Sequence, residues 1–148
     1  MWCALKFFHK KENKMYIKSS LADKWGSESL ELGWTAIPSS LLLLQKTLGI
    51  TPIGLNVLMN LIASWWEAPK NPYVSQQMIA DRIGTSKRTI QRAVRDLENL
   101  RLIEVKRTDK SHPVFKGRNV YDLNPLVVIL IKMTPSLKHM MEQKNDYL

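Results

Sequence analysis

Residues 75–107 constrain the fold of this chain more than any other stretch. They read SQQMIADRIGTSKRTIQRAVRDLENLRLIEVKR, two short helical patterns joined by Gly84-Thr85-Ser86. Ser75 is a suitable N-cap for the first helix, and Gly84 is suited to end it. Ser86 can then cap a longer helix over residues 87–100. The stretch therefore predicts two consecutive helices separated by a tight turn.

The longer predicted helix has two chemically different faces. At 100° per residue, Ala93, Val94, Leu97 and Leu100 fall within roughly 80° of Ile90 and form a core stripe. No acidic residue lies on the first two turns after the serine cap. The side opposite the core carries Arg88, Arg92, Arg95 and Asn99, with Gln91 on its flank. Such a face is suited to a polyanionic partner, although a charged helix face is often merely solvated.

The charge of the chain is concentrated around this helix. The 148 residues include 22 Lys and Arg against 13 Asp and Glu, a net charge of +9. Between Ser86 and Arg118 there are ten basic and four acidic residues, so this segment supplies six of the nine charges. A basic chain favours acidic partners, of which nucleic acid is the commonest and a membrane surface the alternative.

The spacing of small and apolar residues resembles a helix-turn-helix motif. Gly84 follows Ala80 by four positions and Ile90 follows Gly84 by six, with the serine cap between Gly84 and Ile90. Strand-like runs at 102–108 and 118–123 flank a basic tip, which predicts a β-hairpin. A hairpin in this place resembles the wing of the winged variety. The predicted fold class is mainly α with a small β-hairpin, a winged helix-turn-helix.

A narrower resemblance covers roughly residues 24–130. KWGSESLELGWTAIP, LGI, NVLMNLIASWW, the 75–103 block and NVYDL resemble the helix-turn-helix proteins of bacterial mobile elements and phages. Their winged-helix domains are similar to those of transcription regulators and replication initiators. In that family a glycine usually precedes the wing, where this chain has Arg101. If Arg101 must adopt a left-handed conformation, we expect it to do so at a small cost.

The position of residues within the motif implies a set of DNA contacts. The first turns of a recognition helix approach base edges, whereas a wing contacts phosphates and carries little sequence information. The expected contacts from the helix are Ser86, Lys87, Arg88, Gln91, Arg92 and Arg95. Those expected from the wing, residues 102–123, are Lys106, Arg107, Lys110, Lys116 and Arg118.

The flanking segments complete the predicted organisation. We expect an N-terminal, partly flexible arm at 1–33, the winged domain at 34–124 and a helical extension at 125–148. Within the domain, one helix should run from Pro38 to Gly49 and another from Pro52, capped by Thr51, to a point before Pro69. The second helix is predicted to bury Leu55, Leu58, Met59, Ile62 and Trp66, with Trp65 and Trp66 as core residues.

The extension is predicted as two helical pieces, residues 125–133 and 135–143. The apolar run from Leu126 to Ile131 needs cover, either from this domain or from another copy, and we expect a homodimer. The exposed His112 of the wing tip is assigned no role.

Several function classes are disfavoured. One cysteine and three scattered histidines predict no internal disulfide and no metal site, and no cofactor or catalytic motif is found. The first residues lack the features of a secretory signal, and no apolar run is long enough to span a bilayer. We therefore expect a non-enzymatic cytoplasmic protein associated with the nucleoid and not with a membrane.

Three functions fit the pattern. The first is sequence-specific binding of double-stranded DNA by a transcription regulator, with no chemistry performed. The second is a replication-initiation or origin-binding protein with the same DNA contacts, which recruits a replication partner through its arm or its extension. The third is a protein-interaction module whose basic face is merely solvated. The location of bound sites, at promoters or at repeated origin elements, distinguishes the first from the second.

Overall fold

The computed structural model of the protein describes residues 20–143. Residues 1–19, which make up most of the predicted arm, and residues 144–148 lie outside the described residues. The chain divides into two compact units between Trp34 and Thr35. In the first, residues 20–25 are helical and a 3-10 turn spans Glu28–Leu30.

The second unit contains the predicted helices and hairpin. The helices are α1 (Ser39–Leu43), α2 (Pro52–Ala63), α3 (Gln76–Ile83), α4 (Lys87–Asn99) and α5 (Asn124–Gln143), and the strands are β1 (Glu104–Lys106) and β2 (Val120–Asp122). The fold is mainly helical with a two-stranded antiparallel hairpin after α4, a winged helix-turn-helix, as predicted. None of the helices between residues 20 and 143 has the length and hydrophobicity needed to cross a membrane.

Three side-chain caps begin the helices of the motif where the sequence predicts them. Thr51 Oγ1 accepts a hydrogen bond from the Gly54 N–H at 3.0 Å, and Ser86 Oγ accepts one from the Thr89 N–H at 3.1 Å. Ser75 Oγ accepts from the Met78 N–H at 3.4 Å. Each cap satisfies a backbone donor that has no partner inside the helix. The predicted starts of α2, α3 and α4 are confirmed.

Helix α4 packs against α2 and α3 through the predicted stripe. Ile90, Ala93, Val94 and Leu97 are buried, whereas Leu100 follows the last helical turn and is 40% exposed. The inclusion of Leu100 in the core was therefore wrong.

The predicted buried face of α2 is correct only in part, because Leu55 and Ile62 pack against the core while remaining partly exposed. The buried residues are Gly54, Val57, Leu58 and Leu61, of which only Leu58 belongs to the predicted set. Gly54 lies beside Leu97 of α4, where a Cβ would be at an ordinary contact distance of 3.7 Å, and beside the capping Thr51 Oγ1, at 3.1 Å. Most residues of α2 are apolar, and periodicity alone therefore does not fix which face is inside. Trp66 lies beyond the end of α2 and is 79% exposed, so it is not a core residue.

Other element boundaries differ from the predictions for local reasons. Helix α1 ends at Leu43, and turns lead to Gly49, which has a φ of +71°. The two pieces predicted at the C-terminal end are one helix, α5, which continues through Pro135. Thr134 Oγ1 donates to the Leu130 carbonyl at 2.6 Å, which satisfies one acceptor in the turn preceding the proline. Helix α5 packs against α1 and buries Leu126 and Leu130.

The wing is a short hairpin fastened to the segment that precedes α3. Strands β1 and β2 pair with Val105 opposite Tyr121. They are shorter than predicted because residues 107–119 form turns and irregular backbone. Val120 also forms a bridge with Tyr73, and the Tyr121 N–H donates to the Pro72 carbonyl at 2.9 Å. The residues predicted as a simple loop at 68–73 therefore provide an edge to which the wing attaches.

The connection from α4 to the wing has the left-handed residue that the family pattern implies. Arg101 has a φ of +55°, and its N–H donates to the Glu98 carbonyl at 2.9 Å. Leu102 and Ile103, which follow, are buried. An arginine thus occupies a conformation that glycine adopts more easily.

Candidate nucleic-acid interface

All predicted contact residues on α4 and its cap are exposed. The turn Gly84-Thr85-Ser86 separates α3 from α4, and Gly84 closes α3 with a φ of +74°. Because the apolar stripe of α4 is buried against α2 and α3, the opposite side of the helix faces outward. The exposed residues there are Ser86, Lys87, Arg88, Gln91, Arg92 and Arg95.

The wing places its predicted contacts on a separate exposed surface. Lys106 lies on β1, and Lys110 and Lys116 lie in the turns between the strands. Lys116 and Gly117 both have positive φ values, +47° and +79°. A Cβ at Gly117 would lie 3.5 Å from Lys110 Cα, so this tight return of the wing tip favours glycine. The exposed wing contacts are Lys106, Arg107, Lys110, Lys116 and Arg118.

An open cleft of about 410 Å³ lies between the start of α3, one side of α4 and the wing. It separates the predicted helix contacts into two groups, because only some of them line it. The lining residues are Val74, Ser75 and Gln76 at the start of α3, Lys87, Gln91, Val94, Arg95 and Glu98 on α4, and Arg107, Gly117, Arg118 and Asn119 from the wing. The structure thus brings three predicted helix contacts together with two predicted wing contacts. Arg88 and Arg92 point away from it.

One ion pair joins the wing to α4 across this cleft. Arg107 Nη2 lies 3.0 Å from Glu98 Oε2, and the Glu98 side chain is partly buried. Within residues 20–143, Arg107 is the one predicted contact that forms a salt bridge. An ion pair this exposed contributes at most about 1 kcal/mol to stability. It nevertheless fixes the direction of the Arg107 side chain, which makes this residue a weaker candidate for a phosphate contact than Arg118.

The wing tip is ordered by a cluster of aromatic rings. The rings of Phe115 and Tyr73 meet edge to face with centroids 5.2 Å apart, and the His112 ring lies 4.7 Å from Phe115. The Arg118 guanidinium carbon lies 5.4 Å from the centre of the Tyr73 ring. His112 Nδ1 accepts hydrogen bonds from the N–H groups of Val114 and Phe115 at 3.2 and 3.1 Å. The histidine that the sequence left without a role therefore has a structural one.

Asp109 begins the same turn. Its carboxylate accepts hydrogen bonds from the Ser111 hydroxyl and from the Ser111 N–H, the latter at 2.8 Å. These bonds to Ser111 lower the pKa of the Asp109 carboxyl below its ordinary value. The acidic residue in the basic tip thus serves to hold the turn in shape.

Tyr121 lies on β2 and is fully buried. Burial raises the pKa of its hydroxyl, and the nearby side chains of Asn119 and Gln76 act in the opposite direction. Neither amide reaches hydrogen-bonding geometry, so within the described residues this hydroxyl has no partner. It is an uncommon feature, because buried polar groups are nearly always hydrogen-bonded.

Sequence reasoning missed five residues of this region: Tyr73, Gln76, Glu98, Asn119 and Tyr121. Asn119 and Tyr121 belong to the NVYDL motif, which carried the resemblance but no residue roles. Tyr73 was placed in a loop because Pro69 and Pro72 surround it. Its pairing with Val120 depends on residues nearly fifty positions apart, which local patterns do not reveal.

The described part of the chain contains no group of three or more side chains able to hold a metal ion. The polar side chains that come together on α4 and the wing are cationic. Such a surface is suited to binding an anion.

Comparison with known proteins supports the fold. Residues 48–103 match the model of a helix-turn-helix domain family. The match spans α2 to α4 and ends just before the wing. No curated protein is significantly similar to the chain. The match agrees with the helix-turn-helix fold that the structure shows in this part of the chain.

Two solved structures of one protein are similar to the chain as a whole. A mutant of S. aureus MepR bound to an oligodeoxyribonucleotide is 18% identical, with a TM-score of 0.45, covering 88% of this chain and 80% of that one. A MepR-DNA complex is 17% identical, with a TM-score of 0.42, covering 95% and 88%. The resemblance to proteins of mobile elements and phages stays a prediction.

Proposed function

We propose that this protein binds double-stranded DNA at specific sequences and thereby regulates transcription. The observation that carries this proposal is the exposed, cationic side of α4, which lies directly opposite the buried stripe of a helix-turn-helix domain. A helix fits the major groove, where arginine can form paired hydrogen bonds to guanine. Arg88 and Arg92 are the candidates for such contacts, because they face outward and have no carboxylate partner within residues 20–143.

The wing has a different part in this proposal. Lys106, Lys110 and Lys116 are exposed on the hairpin and its tip, where they could approach the DNA backbone while α4 occupies the groove. Contacts to phosphates set the position of a protein on DNA without reading its sequence. Binding should therefore weaken steeply with salt, in proportion to the number of phosphates neutralised.

We infer that the functional unit is a homodimer formed through α5. Val128 and Ile131, three residues apart, are exposed on one side of this helix, with 67% of Ile131 accessible, although Leu126 and Leu130 are buried against α1. A second copy would cover these apolar side chains, and two recognition helices would double the length of DNA that is read. Sedimentation at micromolar concentration tests this inference, since a 17.1 kDa species alone would contradict a preformed dimer.

Selection from a random duplex library at about 150 mM salt tests the proposed function. The winning duplex is then titrated against a scrambled one of equal length. A preference of about 10³-fold or more supports site-specific binding, and a palindromic motif supports the dimer. Weak binding that ignores sequence contradicts the proposal. Mapping of the bound sites then separates promoter operators, which the proposal requires, from repeated origin elements.

A further inference from the structure

The exposed polar residues of α4 lie on two stripes. Lys87, Gln91 and Arg95 line the cleft below the wing, and Arg95, which is only about 20° around the helix from Arg88, lies at the border between the two stripes. Arg88 and Arg92 lie on the other stripe, outside the cleft. When one side of a helix faces base edges, its flank faces a DNA strand that borders the groove. The cleft stripe is therefore placed beside a sugar-phosphate backbone.

The cleft has a net positive charge that is suited to binding an anion. Its lining includes four cationic side chains, Lys87, Arg95, Arg107 and Arg118, and one carboxylate, Glu98, which leaves a net charge of +3. Glu98 is paired with Arg107. Between residues 20 and 143, Lys87, Arg95 and Arg118 have no carboxylate within salt-bridge distance. A phosphodiester has the charge and the acceptor oxygens to draw several such donors together.

A second observation also indicates a ligand at this place. The Tyr121 hydroxyl is fully buried and without a partner, and the side chains nearest to it belong to Gln76 and Asn119, which line the cleft. An amide side chain can donate from its nitrogen while it accepts at its oxygen. If a phosphate turns the amide nitrogens into the cleft, an amide oxygen becomes available to the Tyr121 hydroxyl.

We propose that the cleft clamps a single backbone phosphate of bound DNA, the one on the strand that passes between α4 and the wing. Arg95 and Arg118 are its charged donors, one from each side. Tyr121 is a positioning residue that orients the amides of Asn119 and Gln76. This assignment rests on the proposed binding of DNA. Under this proposal Lys87, Gln91 and Arg95 contact the DNA backbone and not the bases. Arg88 and Arg92 remain the residues that read the sequence.

The first test compares substitutions on the two stripes. Arg95→Gln and Arg118→Gln should each weaken binding by about 5- to 30-fold, equally on selected and scrambled duplexes, and each should lower the salt slope by about one. The double variant should lose less than the product of the single losses, because both arginines serve one phosphate. Arg92→Gln, the matched control on the same helix, should weaken binding to the selected duplex alone. If Arg95→Gln behaves like Arg92→Gln, or if the losses multiply fully, the clamp is wrong.

The second test neutralises the phosphates of the selected duplex one at a time with methylphosphonate. At one position in each half-site, neutralising the phosphate should weaken DNA binding by the wild type. The same change should weaken binding by Arg95→Gln and Arg118→Gln little further. No such position would overturn the proposal. Titration of inorganic pyrophosphate into the free protein tests whether the cleft binds a free phosphate anion instead of a DNA phosphate. Saturable binding below about 1 mM that Arg118→Gln abolishes would assign the cleft to a free anion instead.

Tyr121→Phe tests the positioning role. This variant should fold at least as stably as the wild type but bind both duplexes about 3- to 10-fold more weakly, because the amides lose an orienting donor. A merely structural hydroxyl would leave the affinity unchanged, and that result would remove Tyr121 from the assignment. If the wild type binds no DNA, the proposed function fails. If the wild type binds DNA but Arg95→Gln and Arg118→Gln affect binding in the same way as Arg92→Gln, only the proposed phosphate clamp fails.

Discussion

The buried hydroxyl of Tyr121 makes a quantitative prediction about stability. Tyr121→Phe removes a polar atom that is fully buried and has no hydrogen-bond partner among residues 20–143. Leaving such a group unsatisfied costs about 1–3 kcal/mol. Deleting its oxygen also loses dispersion contacts worth about 0.5–1 kcal/mol. We therefore expect the free energy of unfolding to rise by about 1 kcal/mol and the Tm by about 3–6 °C.

The pH dependence provides an independent measure of the same feature. Because burial raises the pKa of Tyr121, the unfolded chain ionises at about pH 10 while the native hydroxyl stays neutral. The contribution of this group is fully present below pH 10 and is lost as the pH rises towards the native pKa. The wild-type free energy of unfolding should fall with a slope of up to about 1.4 kcal/mol per pH unit from this residue alone. Tyr121→Phe should lack this component.

Urea unfolding followed by circular dichroism, at pH 7 and at intervals up to pH 11, measures both effects. Tyr73→Phe is the matched control, since it keeps the ring that contacts Phe115 and Arg118 and removes the hydroxyl of an exposed residue. Its stability should change by less than about 0.5 kcal/mol. A loss of 1 kcal/mol or more in Tyr121→Phe would refute the reasoning, because it would mean that the hydroxyl has a partner in the free protein.

Four further predictions follow from individual residues. Arg92→Ala should cost about 1–3 kcal/mol of binding free energy on a selected duplex and little on scrambled DNA. Lys110→Ala should instead weaken binding to both duplexes equally and lower the salt slope by about one. Identical behaviour of the two variants would contradict the base-reading role of Arg92. Arg101→Gly should raise the free energy of unfolding by about 0.5 kcal/mol, since it relieves a left-handed arginine but loosens the unfolded chain, and a decrease measured in urea would refute this. Gly117→Ala should loosen the wing tip and weaken DNA binding on all sequences, and unchanged salt-dependent binding would be the contrary result. Ile131→Glu should abolish dimers in sedimentation without unfolding the domain, and a dimer that persists would locate the interface elsewhere.

The motif could be predicted from sequence because its signals are local. Ser75, Gly84 and Ser86 specify the ends of two helices through caps that involve neighbours three or four residues away. The position of a glycine in related sequences indicated that Arg101 would need a left-handed conformation if the connection followed the family pattern, and its φ of +55° shows that it has one. The core stripe of α4 follows from a periodicity interrupted by polar residues, which leaves one orientation of the helix.

What could not be predicted depends on contacts between distant residues. The face that α2 buries depends on how α4 packs against it, and an almost uniformly apolar helix carries no sign of this packing. The continuity of α5 through Pro135 contradicts the usual effect of proline on a helix. The cleft combines residues from α3, α4 and the wing, so the division of the helix contacts into two stripes becomes visible only in three dimensions.

The attachment of the wing to Pro72 and Tyr73 determines where the length of this chain can vary. The Pro72 carbonyl and the pairing of Tyr73 with Val120 hold the hairpin, whereas residues 67–71 before them are exposed. Insertions at 67–71 should therefore leave the hairpin in register, and they would suit the attachment of a fluorophore or a fused domain. An insertion of a single residue between Pro72 and Ser75 would displace the wing relative to α3 and so change the spacing of its contacts along DNA.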